Sequence, residues 1–401
     1  MSGKLLAPFR RVTSSGGFVP EIDGLRFIAI GGVVLFHLLV SLAFKAPLAY
    51  ALPASGNVVA DVGRVGFRGV ELFFVISGFI LASPFASARL LGKSPVPLGS
   101  YFLRRLTRLE PPYMLCMVGL YLIRASAGGA AALLPHLGAS LIYCHNVLFH
   151  ADNPVNNVAW SLEIEVQFYI LVPLLAHIFS IRSRALRRGI IVGVMLASAV
   201  NAWLFIAPGS ILYLSIVRFL HFFLGGFLLA DIYLLDWRGR PALRPAWDAV
   251  TLAGWPLLVA LLNIPGNSAA AGFAAAAFPF LVLLLYVAVF RGRITNGIMT
   301  NPWITTIGGM CYTIYLLHNP ILGAIIGRTA SIVPAGSYTL NVFAQALMAV
   351  PPMLALSALY FVAIERPCMR RDWARRLMER VRALVTREEY GVIKSSMTDR
   401  A

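Results

Sequence analysis

Ten apolar stretches, each long enough to cross a hydrocarbon core of roughly 30 Å, constrain this 401-residue chain more than any other feature. They fall at about 25–44, 70–87, 110–127, 159–179, 189–207, 211–235, 249–264, 273–290, 303–326 and 341–363. Hydrophobic residues make up 59% of the chain and charged residues 13%, where a soluble domain carries roughly 25% charged. A water-soluble globule is excluded, and so is disorder. The pattern predicts an all-α, polytopic transmembrane bundle of about ten helices. Residues 1–19 form a cytoplasmic N-terminal segment, 20–365 the membrane domain, and 366–401 a basic tail.

Lys and Arg number 34 against 17 Asp and Glu, a formal charge of +17. In a soluble protein that excess suggests nucleic acid; here its placement reports topology. With the N-terminus inside, 27 of the 34 basic residues fall in cytoplasmic pieces, five in outer pieces and two, Arg26 and Arg218, within the runs. Both termini are therefore expected in the cytoplasm. The first run is followed by Ala49-Tyr50-Ala51, which resembles a signal-peptide cleavage site. Its length and its Arg26 and His37 favour a retained helix. In the tail, Trp373, Leu377, Val381 and Leu384 recur at helical spacing among Arg370, Arg371, Arg375, Arg376, Arg380 and Arg382. This describes an amphipathic helix on anionic membrane lipid, with no nucleic-acid partner, and it is too short to be a second domain. Cys116, Cys144, Cys311 and Cys368 show no CxxC spacing and read as small core residues. The longest outward segment, 128–158, is a candidate acceptor-binding surface that could partly re-enter the membrane.

An ionisable side chain inside a bilayer costs on the order of 3 kcal/mol or more, so each one needs a reason. Arg26 and His37 are eleven residues apart, which on an α-helix returns to within roughly 20° of the starting face with an axial separation of about 16 Å. Arg26 alone could snorkel to the interface and His37 alone could be a satisfied core histidine; their alignment argues for a joint role. Glu71 opens the second run, Glu163 and Glu165 follow Trp160, Arg218 and His221 are one turn apart, and His318 precedes Asn319-Pro320. Glu165 lies deeper than Glu163, and Arg218 is a possible partner for it across the bundle. Arg104, Arg105 and Arg108 stand before Glu110-Pro111-Pro112 in an inner loop. They satisfy the positive-inside rule, and their guanidinium groups also suit bidentate capture of the phosphates of a nucleotide carrier. His136, His145, His150 and Asp152 lack HExxH or a comparable spacing, so no metal is expected.

Taken together, these residues resemble the bacterial integral-membrane acyltransferase-3 family, which O-acylates surface polysaccharides and related glycans. Glu21-Ile22-Asp23-Gly24-Leu25-Arg26 with His37 is similar to the family's first-helix Arg-x10-His motif. The run from Gly69 to Phe79 resembles its second-helix signature, with Glu71 where Asp is common. Tyr101 to Arg108 resembles the inner-loop arginine motif, Arg105 and Arg108 forming RxxR, and Trp160 to Tyr169 looks like its WSLxxEEQFY run. Tyr312 to Pro320 and Glu365-Arg366-Pro367 match the last two marks. Departures are Glu110 for the Tyr before Pro-Pro, Val166 for a second Glu, and His221 where Glu is frequent.

The resemblance implies an enzyme of the bacterial inner membrane that moves an acyl group, typically acetyl, from cytoplasmic acyl-CoA to a hydroxyl of an extracytoplasmic carbohydrate or lipid-linked glycan, lipopolysaccharide included. His37 would be the general base, with Arg26 and Glu165 beside it; an imidazole with an ordinary pKa of roughly 6.5 suits that work. Arg104, Arg105 and Arg108 would hold acetyl-CoA, and Glu71, Trp160, Arg218 and His318 would contact substrate. The rival is a proton-coupled sugar or glycolipid transporter with His37 and Glu165 as relays, but no paired repeat is visible in the sequence.

Overall fold

The computed structural model describes residues 6–12, 18–47, 50, 51, 53, 56–266, 268–332, 336–370 and 373. All regular structure among them is helical. The helices that fall on the apolar runs are α1 (Pro20–Lys45), α2 (Gly69–Leu91), α3 (Leu98–Ser126), α4 (Trp160–Leu175), α5 (Arg184–Phe205), α6 (Ile216–Leu235), α7 (Ala246–Leu262), α8 (Ala269–Arg291), α9 (Pro302–Gly309), α10 (Cys311–Thr329) and α11 (Tyr338–Tyr360). Each of the ten apolar runs coincides with one of these, α9 and α10 sharing a run.

Fewer than ten pass a stricter test. Among the described residues, seven helices are long and apolar enough to cross a membrane, eight if α9 and α10 count as one span bent by 70°. The remaining two runs fall on α7, which has 17 residues, and on α3, whose first half carries Arg104, Arg105, Arg108 and Glu110. The expected amphipathic helix of the tail lies, but for its first few residues, outside the described residues.

Helix ends follow local chemistry. Pro20 and Pro302 start α1 and α9, where a missing N–H is harmless, and Asn301, Ser183 and Ser268 cap α9, α5 and α8 through their side-chain oxygens. Prolines also sit inside helices, and two of the carbonyls they strand are recovered by side chains from elsewhere. Pro173 frees the Tyr169 carbonyl, which accepts from the Tyr101 hydroxyl at 3.1 Å. Pro320 frees the Leu316 carbonyl, which accepts from Asn156 Nδ2 at 3.1 Å.

The bundle centres on α1, flanked by α2, α9 and α10, while α2 packs along α6. Two close approaches require glycine. A Cβ on Gly226 of α6 would collide with the backbone of α2 at Val75 and Phe79, and one on Gly308 with the Asp23 carbonyl of α1. The second places the bend between α9 and α10 directly against the start of α1. The segment 128–158 is not a loose loop. It holds helices Ala130–Leu141 and His145–Phe149, and Ser140, His145, Asn146, Asn153 and Asn156 are buried in the protein. All four cysteines are free thiols.

Candidate active site

At the N-terminal end of α1 a buried carboxylate organises two arginines. Asp23, 1% exposed, accepts from Arg26 Nη1 at 2.7 Å and from Arg11 Nε at 2.8 Å. Arg26 is one turn along the same helix, so the pair is local; Arg11 comes from the preceding segment. Burial and the neighbouring Arg26 push the Arg11 guanidinium down to about 10. Arg108 of α3 interacts electrostatically with Arg11, and both Arg108 and Arg26 do so with Glu365. Glu365 is buried; one oxygen accepts from Thr313 and the other has no hydrogen-bond partner. It ends a π-helical stretch, Phe361–Glu365, that continues α11, a local widening of the helix common at functional sites.

Arg105 lies with its guanidinium 4.2 Å from the Tyr101 ring centroid, where cation–π attraction holds it, and Arg104 is its electrostatic neighbour. Arg108 of α3 thus stands in electrostatic reach of Arg11, beside the first turns of α1.

Glu165 joins this group and not the partner expected for it. It accepts from Ser77 Oγ at 2.5 Å, hydrogen-bonds Tyr169, and interacts electrostatically with Arg26. Arg218 instead stacks on Tyr213, its Cζ 3.6 Å from the ring centroid, and on Phe219 at 5.0 Å. The expected Glu165–Arg218 pair does not form, because the aromatic faces next to Arg218 in sequence already occupy its guanidinium.

Toward the other end of α1, His37 meets His318 of α10. Their rings are 4.8 Å apart between centroids, with His318 Nε2 3.1 Å from His37 Nδ1. His318 is fully buried, and His37 keeps part of its surface open. Beside them Tyr315 bonds Ser161 at 2.7 Å, and Asn157 of the 128–158 segment accepts from Asn319 at 2.5 Å. That segment thus reaches the helix that carries His318. Glu71, buried, takes Arg68 at 2.8 Å and lies in electrostatic reach of Tyr315. The Trp160 carbonyl accepts from Asn146 Nδ2, and its ring rests on Phe219.

Glu163 has a structural partner: its carboxylate receives the backbone N–H groups of His145 and Asn146, tying 128–158 to α4. His136 Nδ1 is 2.9 Å from His145 Nε2, and burial followed by His136 pushes His145 down to about 4. His150 and Asp152 do not join them, and among the described residues no group of three or more metal-ligating side chains forms.

In the sequence Asp23 and Glu365 stand out only as motif letters, and Arg11 not at all. The i, i+3 spacing of Asp23 and Arg26 was a usable signal for the first; nothing in the sequence places Glu365 near α1.

Residues 19–364 match the family described as an acyltransferase domain. The chain belongs to the acyltransferase-3 family. Among curated proteins, this family member is similar to the O-acetyltransferase OatA of Staphylococcus aureus, 26% identical over 358 residues, covering 83% of the chain and 55% of that protein. It is also similar to the peptidoglycan O-acetyltransferase OatA of Listeria monocytogenes, 27% identical over 344 residues, covering 78% of the chain and 51% of the relative. The chain thus spans about half the length of the curated relatives it matches. No solved structure matches it significantly.

Proposed function

We propose that this acyltransferase-3 protein is a membrane O-acyltransferase that moves an acetyl group from cytoplasmic acetyl-CoA to a hydroxyl of an extracytoplasmic carbohydrate or lipid-linked glycan. One observation carries the reading: a single helix face bears the Arg26–Asp23–Arg11 network at one end and a partly open His37 at the other. Membership of the family and relatives described as O-acetyltransferases supply the reaction class.

Both termini face the cytoplasm of a bacterium, and the chain sits in its inner membrane, in keeping with the basic asymmetry. Arg104, Arg105 and Arg108, with Arg26, receive the phosphates of the donor, for which planar guanidinium groups are suited. The pantetheine arm runs along the α1 face, whose ends are separated by about 16 Å over eleven residues. His37 removes the proton from the acceptor hydroxyl as its oxygen attacks the thioester carbonyl. Collapse of the tetrahedral intermediate breaks the C–S bond and the CoA thiolate leaves, recovering the proton. Glu165, held by Ser77 and Tyr169, sets the charge opposite Arg26. Glu71, Trp160 and Arg218 line the acceptor side, below the 128–158 segment.

Purified protein in liposomes, given acetyl-CoA labelled in the acetyl group and candidate glycans, should yield labelled glycan and free CoA in equal amounts. Sugar flux without label transfer would replace this reading with a transporter. His37→Gln, which keeps a polar side chain but cannot take the proton, should lower transfer by roughly two to four orders of magnitude while still binding donor.

A further inference from the structure

The contacts of the two histidines decide where their hydrogens sit. His318 Nδ1 lies 2.8 Å from the Tyr315 carbonyl and 3.1 Å from the Ile314 carbonyl. A carbonyl only accepts, so this nitrogen carries a hydrogen and, in the neutral ring, Nε2 is a bare lone pair. That lone pair faces His37 Nδ1 at 3.1 Å. His37 Nδ1 is in turn 2.9 Å from the Val33 carbonyl, again an acceptor only. It therefore carries a hydrogen, shared between Val33 O and His318 Nε2. The lone pair left on His37 is at Nε2.

We propose that His318 is a positioning residue that, together with the Val33 carbonyl, locks His37 in its Nδ1–H tautomer and orientation and so presents His37 Nε2 as the base. This rests on the reading of His37 as general base, and it reassigns His318 from the substrate contact that the sequence suggested. His318 is not itself the base: one nitrogen is committed to backbone carbonyls, the other points at His37, and the ring has no exposed surface. Pro320 lies two residues on, and Tyr315, whose ring centroid is 5.8 Å from that of His318, is held by Ser161 of α4, so the ring is fixed from its own helix and from its neighbour. When His37 Nε2 takes the acceptor proton, the new charge strengthens the Nδ1–H donation to Val33 O and His318 Nε2. A second proton on the pair would set two N–H groups against each other, so the pair accepts one. The arrangement does the work of the carboxylate in a Ser-His-Asp triad with a neutral group, which avoids placing another charge in the bilayer.

Ring-15N histidine NMR of the purified protein, with His37 assigned by its loss in His37→Gln, reads the tautomer directly. Wild type should show His37 protonated at Nδ1 and bare at Nε2, and His318→Leu, in which the Val33 carbonyl alone holds that hydrogen, should show a measurable Nε2–H fraction. In turnover, His318→Leu should lose about 10²–10⁴-fold in kcat, the range expected when the base is misoriented, with the KM for acetyl-CoA unchanged within about twofold. His318→Gln, which can set an amide oxygen where Nε2 stood, should recover to within about tenfold of wild type. A wild-type His37 protonated at Nε2, a fully active His318→Leu, or a folded His318→Gln as inactive as the Leu variant would each overturn the proposal. His37→Gln turning over at the wild-type rate would remove the base reading and the role of His318 with it. A dead His37→Gln beside an Nε2-protonated wild type would remove the role of His318 alone.

Discussion

Replacing Asp23 by Asn removes the one anion that two buried guanidinium groups share. Arg26 and Arg11 approach Asp23 at 2.7 and 2.8 Å, and each arginine side chain is only 12% exposed against 1% for the carboxylate. Water therefore screens the network little, and salt should change the result only slightly. Removing one partner of a buried ion pair typically costs about 3–5 kcal/mol, because the remaining charge is left unpaired. The asparagine oxygen keeps one hydrogen bond and the arginines retain a little solvent, so a loss of about 3 kcal/mol is expected. Unfolding by SDS titration in mixed micelles, followed by tryptophan fluorescence, measures it. The cycle with Arg11→Gln is decisive. If the two side chains act on one another, Asp23→Asn with Arg11→Gln should be less destabilised than the sum of the single variants, by at least about 1 kcal/mol. Effects that add to within about 0.5 kcal/mol would mean that the network is not coupled and that the argument from its geometry fails.

Three further outcomes are expected. Arg105→Ala and Arg108→Ala should each weaken acetyl-CoA binding by roughly 1.5–3 kcal/mol, read by calorimetry; unchanged donor affinity in the folded double variant would leave these residues only a topological role. Reporter fusions after residues 150 and 268 should read extracytoplasmic and one after 240 cytoplasmic, and the reverse at any of them would overturn the orientation. His145 is held down to about 4, below its ordinary 6.5, so the unfolded chain binds its proton first; stability should fall as pH drops from 6.5 toward 4 and level off below that. His145→Asn should lose that part of the slope, and an unchanged profile would show that His145 is not buried as a neutral ring.

What could be read before folding was whatever a single helix determines. The eleven-residue interval puts Arg26 and His37 on one face whatever surrounds them, because 3.6 residues per turn is a property of the backbone. Apolar length located each helix in the same way. Pairing across helices is different. Charge alone offers Glu165 to Arg218 as a possible partner, yet Tyr213 and Phe219, five residues before and one after, take its guanidinium.

The sequence by itself determined a helical membrane bundle, the face carrying Arg26 and His37, and the family to which the motifs belong. The tertiary structure alone decided that His318, 281 positions along the chain, stands against His37, that Arg11 shares Asp23, and that Glu365 turns in toward Arg26 and Arg108. The physical reason is that periodicity constrains neighbours three and four residues apart. Contacts between distant helices depend on where glycines such as Gly308 and Gly226 let backbones approach, on the bend between α9 and α10, and on one π-helical turn. Each of these rotates or shifts a whole helix face, and none leaves a signature in the residues it brings together.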